Sequence, residues 1–131
     1  MASEFSKALQ ATTSGLRAQA TRLRHLSENI SNADTPGYRR KTVAFQSYKD
    51  GQSNVEQVRA GKVHLDRTDL QRIYEPGHPL ADESGHFEGS NVDLMIELAD
   101  AREAQRSYEA NLKIFEQTRA MSTGLMDLLR R

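Results

Sequence analysis

The chain predicts a mainly α fold: long N- and C-terminal helices pairing as a coiled-coil-like hairpin, with a small β-rich module and a long loop between them. Three observations lead there. Apolar residues near both ends recur at alternating spacings of four and three, the seam of an amphipathic helix. Between the ends that period gives way to short β-leaning runs separated by Gly, Pro, Asn, Asp and Ser. Aromatic residues make up only 6% of the 131 residues and Trp is absent, which argues against a large globular core. The divisions expected are 1–35 for the N-terminal helix, 36–89 for the β-rich module and loop, and 90–131 for the C-terminal helix.

The first helix rests on Phe5, Leu9, Thr12, Leu16, Gln19, Leu23, Leu26, Ile30 and Ala33. Thr12-Thr13-Ser14-Gly15 are middling or poor helix formers, so a weak point is expected there. With two polar seam positions and few ion pairs, this helix should fray without a partner. Ser31-Asn32-Ala33-Asp34-Thr35-Pro36-Gly37-Tyr38 ends it. Pro36 drives Thr35 out of the α region, and Pro36-Gly37 suits the two central positions of a type II turn.

Thr42–Tyr48 leans toward β structure, Lys49–Ser53 reads as a turn, and Val55–Val58, Val63–Leu65 and Leu70–Tyr74 are candidate short strands. Their apolar content is too low for an independent domain, so a small polar module protruding from the helical pair is expected. Residues 74–86, with the two remaining prolines Pro76 and Pro79, read as a long loop leading through Phe87-Glu88-Gly89 to the last helix.

The C-terminal helix carries Leu94, Leu98, Ala101, Gln105, Tyr108, Leu112, Phe115, Arg119, Ser122, Met126 and Leu129 in one unbroken four-three register. A second register runs through Ile114, Thr118, Met121, Leu125 and Leu128. Ser90 followed by Asp93 reads as a capping box. Asp93, Glu97 and Asp100 complement the positive end of the helix dipole, and Arg130 and Arg131 the negative end. Glu109–Lys113 and Asp127–Arg131 are i,i+4 pairs of the favourable orientation. Such a helix reaches roughly 60 Å, and one short chain cannot cover two apolar registers over that length. Each buried side chain of this kind contributes roughly 1.5–3 kcal/mol, so an uncovered seam is a drive to associate.

Eighteen basic and eighteen acidic residues cancel overall. They also cancel locally: four against three in residues 1–35, eight against eight in 36–91, six against seven in 92–131. A nucleic-acid partner is therefore not expected. No apolar run is long enough for a direct membrane span, and Met1–Gln10 lacks the pattern of a cleavable signal peptide. With no Cys there are no disulfides or Cys-ligated metals. His78, Asp82, Glu83 and His86 are the one cluster of metal-ligand types, but their spacing matches no zinc pattern and a solvated polar loop is the better reading. Glu75 and Asp82 lack a nucleophile or oxyanion donor to work with. Arg39-Arg40-Lys41 reads as a solvated strand end. No catalytic, cofactor-binding or metal-binding residue is assigned.

Three stretches nevertheless resemble a known family. Asn29-Ile30-Ser31-Asn32-Ala33-Asp34-Thr35-Pro36-Gly37-Tyr38 is similar to the N-terminal signature of the flagellar rod and hook proteins. Tyr74-Glu75-Pro76-Gly77-His78-Pro79-Leu80-Ala81-Asp82-Glu83-Ser84-Gly85 resembles a loop of the proximal-rod type, and Arg106-Ser107-Tyr108-Glu109-Ala110-Asn111 the family's C-terminal helix motif. The resemblance is to the flagellar basal-body rod proteins. It implies a non-enzymatic subunit, exported without a cleavable signal by the flagellar type III apparatus. Such a subunit assembles with other rod proteins and copies of itself, at the base of the rod near the membrane ring. There it forms a helical drive shaft across the periplasm with a central export channel. Asn29, Asn32, Thr35, Pro36, Gly37 and Tyr38 would then set the corner. Leu94, Leu98, Tyr108, Asn111, Leu112, Phe115, Met126 and Leu129 would carry the assembly contacts. The rival reading is a soluble coiled-coil adaptor with a single cytoplasmic partner, which should form a defined dimer in solution.

Overall fold

Two helices dominate the computed structural model, which describes residues 2–130. Helix α1 spans Ala2–Ser31 and helix α2 spans Leu94–Leu129. Three contacts fix their relation. Asn29 Nδ2 lies 3.2 Å from Glu97 Oε2, an Arg22 guanidinium nitrogen 3.7 Å from Glu103 Oε2, and Asn111 sits over Gly15. Each step back along α1 is thus a step forward along α2, so the helices lie antiparallel. At 30 against 36 residues, about 45 Å against 54 Å, α2 is the longer strut.

Helix α1 is unbroken through Thr12–Gly15, contrary to the weakness expected there. The hydroxyls of Thr12, Thr13 and Ser14 turn back onto the carbonyls of Ala8, Leu9 and Ala11, each at 2.7 Å, so these side chains follow the helix rather than compete with it. The small residues also serve contact. A Cβ at Gly15 would lie 3.2 Å from Asn111 Nδ2, and Ser14 Oγ accepts from the Val58 backbone N–H at 3.1 Å. Poor helix formers stand where α2 and β3 both come into contact with α1.

The middle of the chain forms three separate antiparallel ribbons rather than one sheet. Strand β1 (Lys41–Thr42) pairs with β4 (His64–Leu65), β2 (Phe45–Lys49) with β3 (Glu56–Ala60), and β5 (Arg72–Tyr74) with β6 (His86–Glu88). Of the expected strands, Thr42–Tyr48 is split between β1 and β2, Val55–Val58 is shifted to β3, and Val63–Leu65 and Leu70–Tyr74 are shortened to β4 and β5. Strand β6, read as loop from sequence, forms because Phe87 pairs with Ile73 across the ribbon. The β2–β3 hairpin lies against α1 instead of protruding, tied by the Ser14–Val58 bond. Val55 is the only buried apolar residue between the described helices apart from Val92, which explains why the ribbons need that support.

Helix α2 starts at Leu94 with Asp93 as its cap, whose carboxylate accepts from Met95 N at 3.0 Å. The Ser90 capping box is therefore not formed. Ser90 is buried and donates instead to the Ala33 carbonyl. Glu109 accepts from Gln105 at 3.5 Å rather than from Lys113, and Asp127–Arg131 lies outside the described residues. The inward stripe of α2 runs through Glu97, Ala101, Ala104, Tyr108, Asn111, Phe115, Thr118, Ser122 and Leu125, all buried or half-buried. It shares Ala101, Tyr108, Phe115 and Ser122 with the expected seam. Leu94, Leu98, Gln105, Arg119, Met126 and Leu129 are exposed, and Leu112 is half-buried. The apolar arc is wider than one helix can cover. Helix α1 settles where Ala101, Ala104 and Asn111 allow close approach, alongside Tyr108, Phe115 and Leu125, and leaves Leu94, Leu98, Met121 and Met126 outside.

Candidate assembly site

The corner between α1 and β1 follows the expectation from Pro36-Gly37. The Tyr38 N–H donates to the Thr35 carbonyl at 3.1 Å, and Gly37 has φ +78°, the geometry of a type II turn with glycine at its third position. Asn32 braces it from the helix end: its amide donates to the Glu28 carbonyl at 2.8 Å, and its oxygen accepts from the Thr35 hydroxyl at 3.1 Å. Gly37 N also donates to the Gly89 carbonyl at 3.0 Å, linking the corner to the lead-in of α2.

Asn29, fully buried, is the centre of the site. Its amide donates to the Lys41 carbonyl at 2.9 Å and to Glu97 Oε2 at 3.2 Å. Its oxygen accepts from the Tyr38 hydroxyl at 2.8 Å and from the Lys41 N–H at 2.9 Å. Both donors and both acceptor positions of the side chain are in use. One residue thereby joins the end of α1, the corner, β1 and the start of α2.

Arg40 supplies the countercharge. Its Nε donates to Glu97 Oε1, one Nη donates to Asp100 Oδ2 at 3.2 Å, and the other lies 3.8 Å from Asp66 Oδ2. Glu97 is 0% exposed, so Arg40 and Asn29 together replace the water it has lost. The Arg40 backbone N–H donates to Asn91 Oδ1 at 2.7 Å, and the Asn91 amide donates to the carbonyls of Asp66 and Thr68. Lys41 Nζ donates to Glu28 Oε2 at 2.8 Å. Arg39-Arg40-Lys41 is therefore not the solvated strand end expected from its sequence. Instead Arg40 is three-quarters buried and coordinates carboxylates from two distant segments. Glu97, read as a dipole partner, is its buried mate.

The titrating groups around this node point to a bounded pH range. The Lys41 ammonium bonded to Glu28 holds the Glu28 carboxyl below its ordinary value, and the same bond raises Lys41. The Thr68 backbone N–H holds Asp66 low, and the Ser84 hydroxyl does the same for Asp82 in the β5–β6 loop. Burial raises Tyr38. Depressed carboxylates stabilise the fold above their unfolded pKa, and that contribution is lost as pH falls through the folded value. Raised Lys41 and Tyr38 contribute below their unfolded values and lose it as pH rises through the folded ones. The urea midpoint should therefore be flat at neutral pH, and fall below about pH 4 and above about pH 10. A midpoint that rises on acidification would contradict these pairings.

The remaining candidates sort clearly. In the β5–β6 loop the His78 ring stacks on Phe87 at 3.9 Å between centroids, and His86 lies against Tyr74 at 5.0 Å. Asp82 accepts from the backbone N–H groups of Ser84 and His86. Asp82 and both imidazoles are thus engaged in shaping the loop, and no group of three metal-ligating residues forms among the described residues. Among the described helices none is long and apolar enough to cross a membrane. On α2, Tyr108, Asn111, Leu112 and Phe115 are half-buried, whereas Leu94, Leu98, Met126 and Leu129 face outward.

Comparison with known proteins follows the same division of the chain. Residues 9–39 match the family described as "Flagella basal body rod protein", and residues 83–128 match "Flagellar basal body rod FlgEFG protein C-terminal". The first match covers most of α1 and the corner, and the second the lead-in to α2 and nearly all of that helix. The flagellar basal-body rod protein FlgC of Agrobacterium fabrum (strain C58) is 49% identical, covering 96% of each chain. That of Salmonella typhimurium (strain LT2) is 33% identical over 88% of this chain and 90% of its own. The Bacillus subtilis (strain 168) protein is 30% identical over 92% and 95%. The chain belongs to the FlgC family of flagellar basal-body rod proteins, structural subunits of the flagellum and not enzymes.

Proposed function

We propose that this subunit builds the proximal rod through its terminal helices, which pair in a coiled-coil-like manner and offer the uncovered side of α2 to neighbours. The observation that carries this is the outward face of α2. Leu94, Met95, Ile96 and Leu98 at one end, and Met121, Met126, Leu128 and Leu129 at the other, are all exposed large apolar residues. Clusters of exposed large apolar side chains of this kind mark interaction sites. The neighbours are other rod proteins and further copies of this chain, joined by contacts that repeat without closing into a ring, which gives a helical tube. A tube of this kind, at the base of the rod near the membrane ring, serves as a drive shaft across the periplasm and leaves a central channel for export. The chain reaches the periplasm through the flagellar export apparatus.

Leu98→Asp and Met121→Asp test this reading. Both positions are exposed, so the change in folding stability should stay within about 0.5 kcal/mol. Motility and recovery of the subunit in purified basal bodies should be lost. Wild-type swimming from both variants would refute assembly through this face. A stable dimer of the purified chain, with no subunit in basal bodies, would favour the adaptor.

A further inference from the structure

We propose that the cleft between α1 and the β2–β3 hairpin receives the acidic β5–β6 loop of a second copy of this chain. The proposal rests on the rod-subunit reading and names one contact within it. The cleft has a volume of ≈ 560 Å³. Helix α1 supplies its floor with Ser14, Ala18 and His25, strand β3 and Gly61 form a wall, and no residue beyond Val63 lines it. Its rim is basic. Arg17, Arg24 and Arg59 line it with no Asp or Glu among the lining residues. None of the three makes an ion pair among the described residues. Arg59 is held over the Tyr48 ring at 5.0 Å. His25 is 7% exposed, and its Nδ1 has no hydrogen-bond partner; the Glu28 carboxylate is 3.7 Å away. In a chain whose charges balance overall, this is a polar, positively charged hollow with no carboxylate in its lining.

The β5–β6 loop has the complementary chemistry. From Ile73 to Ala101 the chain contains no Lys or Arg. The loop presents Glu75 and Glu83 together with Tyr74 and Leu80, which are 66% and 62% exposed. Two carboxylates beside two apolar anchors suit a basic rim over a hollow. The loop is also preshaped. Gly85 at φ +81° brings the backbone against Tyr74, where a Cβ would fall 2.8 Å from the ring, and Asp82 accepts from three groups of the turn. A preshaped segment loses less entropy on docking. Cleft and loop are different surfaces of one molecule, so their pairing is head-to-tail and can repeat along an open stack.

Cysteine cross-linking tests the contact directly, because the chain has no cysteine of its own. Thr13→Cys and Leu80→Cys placed together in the full-length protein, in cells that build flagella, should give a disulfide-linked ladder of this subunit in basal bodies treated with copper-phenanthroline. Each single variant should stay monomeric. Absence of the ladder in intact basal bodies, or a cross-link to a different rod protein, overturns the proposal. As a second readout, Arg17→Glu with Arg59→Glu should lower incorporated subunit roughly tenfold, and adding Glu75→Arg with Glu83→Arg should restore it. Loss without restoration in a chain that still melts normally also overturns the pairing. It leaves the rod-subunit reading to stand or fall on Leu98→Asp and Met121→Asp.

Discussion

Replacing Arg40 with Ala is expected to remove about 3–5 kcal/mol of folding stability, because it leaves Glu97 charged, fully buried and answered by a single amide. For a chain of this size that is a fall in melting temperature of roughly 10–20 °C. Arg40→Lys should recover little. Three nitrogens of one guanidinium reach Glu97, Asp100 and Asp66 in three directions, and an ammonium has neither the fork nor the reach. Arg40→Met combined with Glu97→Leu should regain most of the loss, since removing both charges also removes the desolvation cost. Calorimetry on the four proteins checks the scheme. A single Arg40→Ala variant that melts within a few degrees of the parent would show that Glu97 is not held as described.

The second large effect is expected on the inward side of α2. Phe115→Asp puts a carboxylate into the half-buried stripe between the helices, where no Lys or Arg occurs from Ala8 to Leu16 of α1 to answer it. The loss should be about 3 kcal/mol, combining lost apolar burial with the cost of an unpaired charge. Leu112→Asp, at the edge of the stripe, should lose less. Both should abolish incorporation into the rod. They differ from Leu98→Asp in a way one experiment separates: Phe115→Asp lowers the melting temperature of the isolated chain, whereas Leu98→Asp leaves it unchanged. Motility from Phe115→Asp would contradict the helical pairing.

The two helices, the type II turn and most strand positions were legible because each is written in local chemistry. The four-three spacing of Phe5 through Ile30 and the Pro36-Gly37 pair act within a few residues. The phase of the α2 stripe was not legible. Leu94 and Leu98 are more apolar than Ala104 and Asn111, yet the latter face α1, because small side chains at those two positions allow the close approach. Ser90 had the chemistry of a helix cap, but the Ala33 carbonyl lay nearer in space. The node itself was half visible. The resemblance marked Asn29 and Tyr38, whereas Arg40 and Glu97 stand 57 residues apart and nothing local connects them. A guanidinium just after a turn and carboxylates at Glu97 and Asp100 were the available signal, and each alone had an ordinary surface explanation.

The corner node has a mechanical consequence. Apolar stripes tolerate slippage, since one Leu can trade places with the next at little penalty. The Asn29–Glu97 hydrogen bond and the grip of Arg40 on Glu97 and Asp100 do not, because moving either helix one turn along the other would break all three at once. Under torsion the helical pair should act as a rigid strut clamped at one end. Any elastic give in an assembly of such subunits must then come from the contacts between them.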